Sequence, residues 1–337
     1  MADLPKYQDL PIVGHQRASW GLWGVGDPEP GQAGAGDTDA DFFGCLNLLT
    51  PERVVAAAAL VTRGAVFSLN WSMGLPDPPM FSRSGLHHEV VKGRGHQDDV
   101  LHDWNTQSSS QWDGFRHVWN EPNGFYGGRP DDEHGVDHWA RRGIAGRGVL
   151  CDVARYRAAQ GRPLRHDECD AISPEDVTGA LAAQSTTVQV GDVLLLHTGW
   201  VEWYEQQDAD ARARLAENDG MRWPGLAPGE RSAELLWDLH IAAIAADNPS
   251  VESWPPGHGV DPEIVARIRE GERWRMGDVF THTLYLPMLG LPLGEMFVLS
   301  PLAADCADDR RYEFLFVSAP LNLPHGVASP PNALAIK

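Results

Sequence analysis

Residues 188–200 read VQVGDVLLLHTGW, and this stretch decides how the centre of the chain folds. A turn at Gly191–Asp192 leads into the apolar run Val193–Leu196, which is typical of a buried strand. Farther along the chain, residues 241–247 (IAAIAAD) are also apolar and short, and they predict another strand. The centre of the chain is therefore expected to contain a sheet.

Helices are expected before these strands and between them in the sequence. The stretches with helical spacing and start signals are residues 51–64, 173–183 and 228–240. Thr50 and Ser173 stand where a helix cap belongs, and a proline follows each of them at the first helical position. Residues 65–71 alternate between apolar and polar side chains, as a strand does. Strands outnumber helices in this interpretation, which favours an α/β or α+β fold.

The overall composition is that of a globular protein with an acidic surface. The chain has 337 residues, of which 42% are hydrophobic, and 27 basic against 47 acidic side chains give a net charge of −20. Binding to nucleic acid or to an anionic membrane needs clustered Lys and Arg, so neither partner is expected. The 35 glycines and 25 prolines are spread along the chain and mark no linker. A single domain over residues 1–337 is predicted.

The location of the protein is inferred from what its sequence lacks. The four cysteines lie far apart and form no Cys-x-x-Cys pair, which indicates a reducing compartment. The N-terminus shows no signal peptide, and the most apolar stretch, Val54 to Val61, is far shorter than the roughly 20 residues of a membrane helix. A cytoplasmic protein is expected.

The segment from Gln107 to His117 (QSSSQWDGFRH) carries the first candidate site. On an extended strand Gln111 and Asp113 share one face, and a loop after them brings His117 back toward it. A carboxylate, an amide oxygen and an imidazole suit Zn²⁺ or Mn²⁺. A polar turn with a surface histidine explains the same residues without a metal.

The segment from His282 to Glu295 (HTLYLPMLGLPLGE) carries the second. Glu295 stands in an apolar stretch, and burying a lone carboxylate costs several kcal/mol. It is expected either at the surface or beside a cation, which is a metal ion or an arginine.

Together these segments resemble the metal-dependent cyclase family, which includes kynurenine formamidase, isatin hydrolase and trans-dienelactone hydrolase relatives. The family motif is His-x-Gly-Thr-His-x-Asp-x-Pro-x-His, and Asp113 and His117 match its Asp and last His at the same spacing. Further segments that resemble the family are residues 42–52, 146–153, 188–200, 224–248 and 282–295. The matches cover most of residues 20–335, so about residues 1–19 are expected to be an N-terminal extension.

The resemblance implies a swivelling β/β/α fold, strand-rich with helices packed outside, and a metal site. The chain departs from the motif where Gln107 and Gln111 replace its first two histidines. Relatives with two zinc ions use both histidines, so this chain is expected to hold one divalent ion, Zn or Mn. Its expected ligands are Asp113, His282 and Glu295, with Gln111 as the fourth and Gln107 as a weaker candidate.

The resemblance also implies a reaction and a role for His117. His117 is expected to act as the general base toward a metal-activated water that hydrolyses an amide, a cyclic amide or a lactone. Trp23 and Tyr126 are expected to line the pocket of a small-molecule substrate. Two alternatives stay open: a polyketide-type cyclase or dehydratase that uses the same metal site, and a catalytically inactive small-molecule-binding homologue. By analogy with relatives, a homodimer or homotetramer is expected.

Overall fold

The structure is a computed structural model that describes residues 4–23, 41–256, 266 and 279–337. The strands are β1 Ile12–Val13, β2 Gln16–Arg17, β3 Val66–Ser68, β4 His87–Lys92, β5 Gln97–His102, β6 Gln111–Asp113, β7 Ile144–Asp152, β8 Ala171–Ile172, β9 Val193–His197, β10 Gly225–Leu226, β11 Ala243–Ala246, β12 Leu293–Glu295, β13 Glu313–Ser318, β14 Ala328–Ser329 and β15 Ala333–Ile336. The α-helices are α1 Pro51–Ala58, α2 Val136–Arg142, α3 Val153–Ala159, α4 Pro174–Ala183, α5 Trp200–Glu205, α6 Ala209–Ala216, α7 Glu230–Asp238, α8 His282–Tyr285 and α9 Ser300–Asp309.

A nine-stranded mixed sheet organises these elements, in the order β14-β6-β12-β11-β9-β7-β13-β15-β3. Its centre is parallel: β7, β9, β11 and β12 run side by side in one direction. Every residue of β9 and β11 is buried, as expected for parallel strands covered on both faces. The strands predicted at residues 193–196 and 241–247 are therefore confirmed, and so is the mixed fold class with strands at its centre.

One edge of the sheet brings the two candidate segments together. Strand β6 pairs antiparallel with β12, so that Gln111 lies opposite Glu295 and Asp113 lies opposite Leu293. Side chains two residues apart on a strand share a face, and Asp113, Gln111 and Glu295 therefore project to the same side. This register, far from local in the sequence, positions the site.

The helices follow the predicted starts more closely than the predicted ends. Helix α4 has a full capping box, in which the Ser173 hydroxyl accepts a hydrogen bond from the Asp176 amide and the Asp176 carboxylate accepts one from the Ser173 amide. Helix α1 begins at Pro51 as predicted, but Thr50 makes no side-chain cap, and the helix ends at Ala58 and not at Gly64. The chain leaves this helix because the amides of Arg63 and Ala65 donate to the carbonyl of Lys337.

Several smaller expectations concern the outside of the sheet. The described part of the expected N-terminal extension packs on the core: Tyr7 and Leu10 are buried, and the Tyr7 amide donates to the Asp238 carboxylate at the end of α7. The division of the chain into one domain and an extension stays a prediction. All four cysteines are free, as expected. Among the described residues, no helix is both long and apolar enough to cross a membrane.

Candidate metal centre

Three buried side chains form a compact cluster of metal-ligand type. Asp113 at the end of β6, His282 at the start of α8 and Glu295 at the end of β12 each offer one ligand atom, and these atoms lie within 4.8 Å of one another. His282 Nε2 is 3.0 Å from Glu295 Oε1 and 4.0 Å from Asp113 Oδ2. The structure thus brings together Asp113, His282 and Glu295, and the fourth predicted ligand, Gln111, contacts both carboxylates through its amide nitrogen.

The cluster fits a divalent cation because one of its oxygens has no partner. Asp113 Oδ2 is buried and, within the described part of the chain, accepts no hydrogen bond. A buried carboxylate oxygen without a partner costs free energy that a bound cation removes. Two carboxylates and one imidazole are ligands that Zn²⁺ and Mn²⁺ accept. Burial and the neighbouring Asp113 raise the pKa of Glu295 to about 8, a perturbation that a cation between the two carboxylates reverses.

Glu252 fixes the histidine of this cluster and was not found from the sequence. It lies on the chain after β11 and is buried. Its Oε1 is 2.5 Å from His282 Nδ1 and accepts the His282 amide at 3.1 Å, while Oε2 accepts the Thr281 amide at 2.7 Å. With Nδ1 bound to a carboxylate, Nε2 is the ring atom that faces the cluster, as in carboxylate–histidine–metal arrangements. Burial opposes protonation, but the hydrogen bonds to Glu252 and Glu295 raise the pKa of His282 to about 10.

The two glutamines meet the carboxylates through their amide nitrogens. Gln111 Nε2 donates to Glu295 Oε2 at 2.5 Å and to Asp113 Oδ1 at 3.3 Å, and Gln107 Nε2 donates to Asp113 Oδ1 at 2.7 Å. Carboxylates are acceptors only, so the amide groups turn their N–H toward them. The Gln111 oxygen instead accepts from Arg83 Nη1 at 3.4 Å. A metal ligand from Gln111 stays a prediction, and it requires this amide to turn.

His117 lies beside the cluster, where the motif spacing indicated. Its Nε2 is 3.7 Å from Asp113 Oδ2, and its Nδ1 is 3.1 Å from Gln107 Nε2. Burial lowers the pKa of His117, which makes the ring neutral at pH 7. Because Gln107 donates to Nδ1, the neutral ring carries its proton on Nε2, the nitrogen nearer the cluster.

The aromatic residues predicted to bind substrate lie elsewhere. Trp23 packs against Trp237 in an apolar cleft, and the Tyr126 hydroxyl donates to Asp41 at 2.7 Å beneath Phe115. Neither makes a hydrogen bond or ring contact with the metal-ligand cluster among the described residues, and their role in substrate binding stays a prediction.

Other rings stand next to the cluster. Phe280 stacks on His282 with centroids 4.6 Å apart and planes at 8°, and Trp254 meets Phe280 edge-on at 6.2 Å. Phe81 and Trp223 extend this aromatic wall from Trp254, at 5.3 and 5.5 Å. The only signal for it in the sequence is the high number of Trp residues, which does not say which of them meet.

Comparison with known proteins identifies the family and supports the fold. The model of a family described as putative cyclase matches residues 56–253. The crystal structure of a protein described as a novel cyclase is 29% identical, covers 95% of this chain and 99% of its own, and superposes with a TM-score of 0.76.

Two isatin hydrolases share the fold at lower identity. Isatin hydrolase A from Labrenzia aggregata, bound to benzyl benzoate, is 16% identical over 84% of this chain and 97% of its own, with a TM-score of 0.53. Isatin hydrolase A from Ralstonia solanacearum is 14% identical over 86% of this chain and 98% of its own, with a TM-score of 0.55. A search of curated proteins found no match.

Substitution of Glu252 by Gln is expected to weaken metal binding. The amide keeps the shape but removes the charge that orients His282, and changes of this kind cost roughly 10–100-fold in metal affinity. Competition with a zinc indicator measures the effect. Glu175→Gln, on the exposed surface of α4, is the matched control and should bind zinc like the unmodified protein. Unchanged affinity in a folded Glu252→Gln protein would remove Glu252 from this role.

Zinc affinity is also expected to rise with pH between 6 and 8. The metal-free cluster holds extra protons, because the pKa values of His282 and Glu295 are raised to about 10 and about 8. Below those values a proton must leave when the metal binds, so each pH unit upward strengthens binding, by about tenfold for each proton displaced. Calorimetry in buffers of different ionisation enthalpy counts the protons released. Affinity that is flat or falls over this range would contradict the protonation assigned here.

Proposed function

The chain belongs to the cyclase family whose model spans residues 56–253, and on that premise we propose that it is a metal-dependent hydrolase of an amide, a cyclic amide or a lactone. The observation that carries the proposal is the unpartnered Oδ2 of Asp113, which lies in a buried cluster with His282 and Glu295. No described residue donates a hydrogen bond to this atom, which is what is expected of an oxygen that binds a cation.

One divalent ion, Zn²⁺ or Mn²⁺, is held by Asp113, His282 and Glu295 in this proposal. Such an ion supplies a water of lowered pKa and polarises a carbonyl group. The chain's own residues prepare the site for it. Glu252 directs His282 Nε2 inward, and the Gln107 and Gln111 amides hold Asp113 Oδ1 and Glu295 Oε2, which leaves the other oxygens for the ion.

His117 transfers the proton. Its ring is neutral at pH 7 and its Nε2 is 3.7 Å from Asp113 Oδ2, next to the place of the reacting atoms. With Gln107 donating to Nδ1, the neutral ring carries its proton on Nε2, and this form cannot accept a proton there. The active form takes the proton of the water on an unprotonated Nε2 and, as an imidazolium, donates it to the leaving group. Acting as the base at Nε2 requires the proton on Nδ1, and this follows when the Gln107 amide turns its oxygen to the ring. Gln107 thereby orients His117 and decides which ring nitrogen is protonated.

The aromatic wall supports a planar substrate. Phe280 and Trp254 are partly exposed beside His282, so a flat ring is able to stack there while its carbonyl reaches the cluster. Isatin, the substrate named for two proteins that share this fold, is a first compound to test, together with an N-formyl arylamine and an aryl lactone.

A cyclase reaction is the second candidate. It is favoured by the description of the matching family and of the 29% identical protein as cyclases. The same cluster and the same histidine serve a cyclisation or dehydration of a polyketide-like intermediate. Turnover of that intermediate without hydrolysis of isatin, formyl amide or lactone would favour it over the hydrolase. A catalytically inactive binding protein is the third possibility, and a zinc-loaded protein without any turnover would favour that one.

Two substitutions separate metal binding from proton transfer. Asp113→Ala is expected to lose both zinc and hydrolysis, because it removes the ligand oxygen. His117→Ala is expected to keep one equivalent of zinc and to lose roughly 10²–10⁴-fold in kcat, the usual contribution of a positioned acid–base group. Metal analysis and steady-state kinetics on the same preparations give both readouts.

The matched control is His96→Ala, in the exposed turn between β4 and β5, which should change neither readout. Loss of zinc in the His117 variant would make His117 a ligand. Full activity in that variant would refute its role in catalysis.

A further inference from the structure

Arg83 stands at the edge of the metal-ligand cluster, and neither the motif comparison nor the proposed reaction assigns it a role. Its Nη1 donates to the backbone oxygen of Gln107 and to Gln111 Oε1. A guanidinium has five N–H donors, and among the described residues Nη2 and Nε of Arg83 have no acceptor. The side chain is partly exposed, so these donors remain available to a ligand.

The position of Arg83 is held from both sides. Its guanidinium lies over the Phe81 ring, 4.9 Å from the ring centre, and Phe81 in turn packs edge-on against Trp223 and Trp254. The backbone before it is strained: Phe81 and Ser82 have φ values of 58° and 56°, in the left-handed region that non-glycine residues rarely adopt. Strained backbone of this kind persists where the surrounding packing enforces it and is common at functional sites.

The charges of the site indicate a role for Arg83 in binding an anion. Two buried carboxylates, Asp113 and Glu295, lie at the place of one divalent ion and balance its charge, while Glu252 binds the far side of His282. Hydrolysis of an amide or a lactone adds a carboxylate product to that site. The Gln111 side chain links Arg83 to the two carboxylates: its oxygen accepts from Arg83 Nη1, and its Nε2 donates to Glu295 Oε2 and Asp113 Oδ1.

We propose that Arg83 binds the carboxylate of aromatic ligands at this site, including the carboxylate product of the hydrolysis. The ring of such a compound lies along Phe280 and Trp254, and its anionic oxygen accepts from the free N–H groups of Arg83. A planar guanidinium matches a carboxylate with two parallel hydrogen bonds, which a lysine does not. This inference rests on the proposed hydrolase site, because it takes the metal-ligand cluster as the place where the carbonyl is bound.

The test compares two ligands that differ in charge but hardly in shape. Benzoate and benzamide are titrated into zinc-loaded protein, unmodified and with Arg83→Met, Arg83→Lys and Arg231→Met. Arg231 is an exposed residue of α7 paired with Glu175, so its variant changes the net charge equally without touching the site.

Arg83→Met is expected to weaken benzoate binding about tenfold or more and to change benzamide binding less than twofold, at unchanged zinc content. Arg83→Lys is expected to recover part of the loss, and Arg231→Met to show none. Benzoate affinity that is equal in the unmodified and Arg83→Met proteins, or equal losses for both ligands, would overturn the proposal.

The binding measurement needs no turnover, so the two proposals fail separately. A protein that hydrolyses none of the test compounds but still binds benzoate through Arg83 refutes the hydrolase and keeps the anion site. A protein that hydrolyses isatin with Arg83→Met as fast as without it, and binds benzoate equally well, keeps the hydrolase and refutes the anion site.

Discussion

Two carboxylates lie side by side in the interior because β6 pairs with β12. The register places Gln111 opposite Glu295, with Asp113 on the same face, and all three side chains are almost completely inaccessible to water. Like charges at this distance repel, and burial raises the cost of each of them. The surrounding groups reduce this repulsion: an imidazole, two amide groups and the place of a cation lie next to the two carboxylates.

Each side chain next to the two carboxylates contacts a particular carboxylate oxygen. Gln107 and Gln111 donate to Asp113 Oδ1 and Glu295 Oε2, and His282 approaches Glu295 Oε1. What remains is Asp113 Oδ2. A chain with histidines at positions 107 and 111 would offer two more metal-binding nitrogens there. With glutamines, the same positions supply hydrogen-bond donors to the two carboxylates.

Local pattern predicted the parts of the fold that depend on local physics. The apolar runs of β9 and β11 and the capping of α4 by Ser173 are properties of a few neighbouring residues, and they are confirmed. The end of α1 was wrong because pairing with Lys337, far along the chain, decides it. Asp113, His282 and Glu295 could be predicted as ligands from the resemblance to the family. Their meeting depends on strand register, which a single sequence does not specify.

The residues that could not be predicted lie far along the sequence from the residues that they contact. Glu252 is 30 residues from His282, and Arg83 is 28 residues from Gln111; neither belongs to a motif with the residue that it contacts. Trp23 and Tyr126 illustrate the converse. Their aromatic character suited a substrate pocket, but the core contains many such rings. The ring that stacks on His282 is Phe280, and Trp254 packs against Phe280.

The central claim is that one divalent metal ion binds between Asp113, His282 and Glu295. Anomalous diffraction from crystals of zinc-loaded protein, recorded on both sides of the zinc edge, tests it most directly. The account predicts one strong peak per chain, about 2 Å from Asp113 Oδ2, His282 Nε2 and a Glu295 oxygen. A structure at full zinc loading with no peak between these three residues, or with its zinc held by another set of side chains, would contradict it.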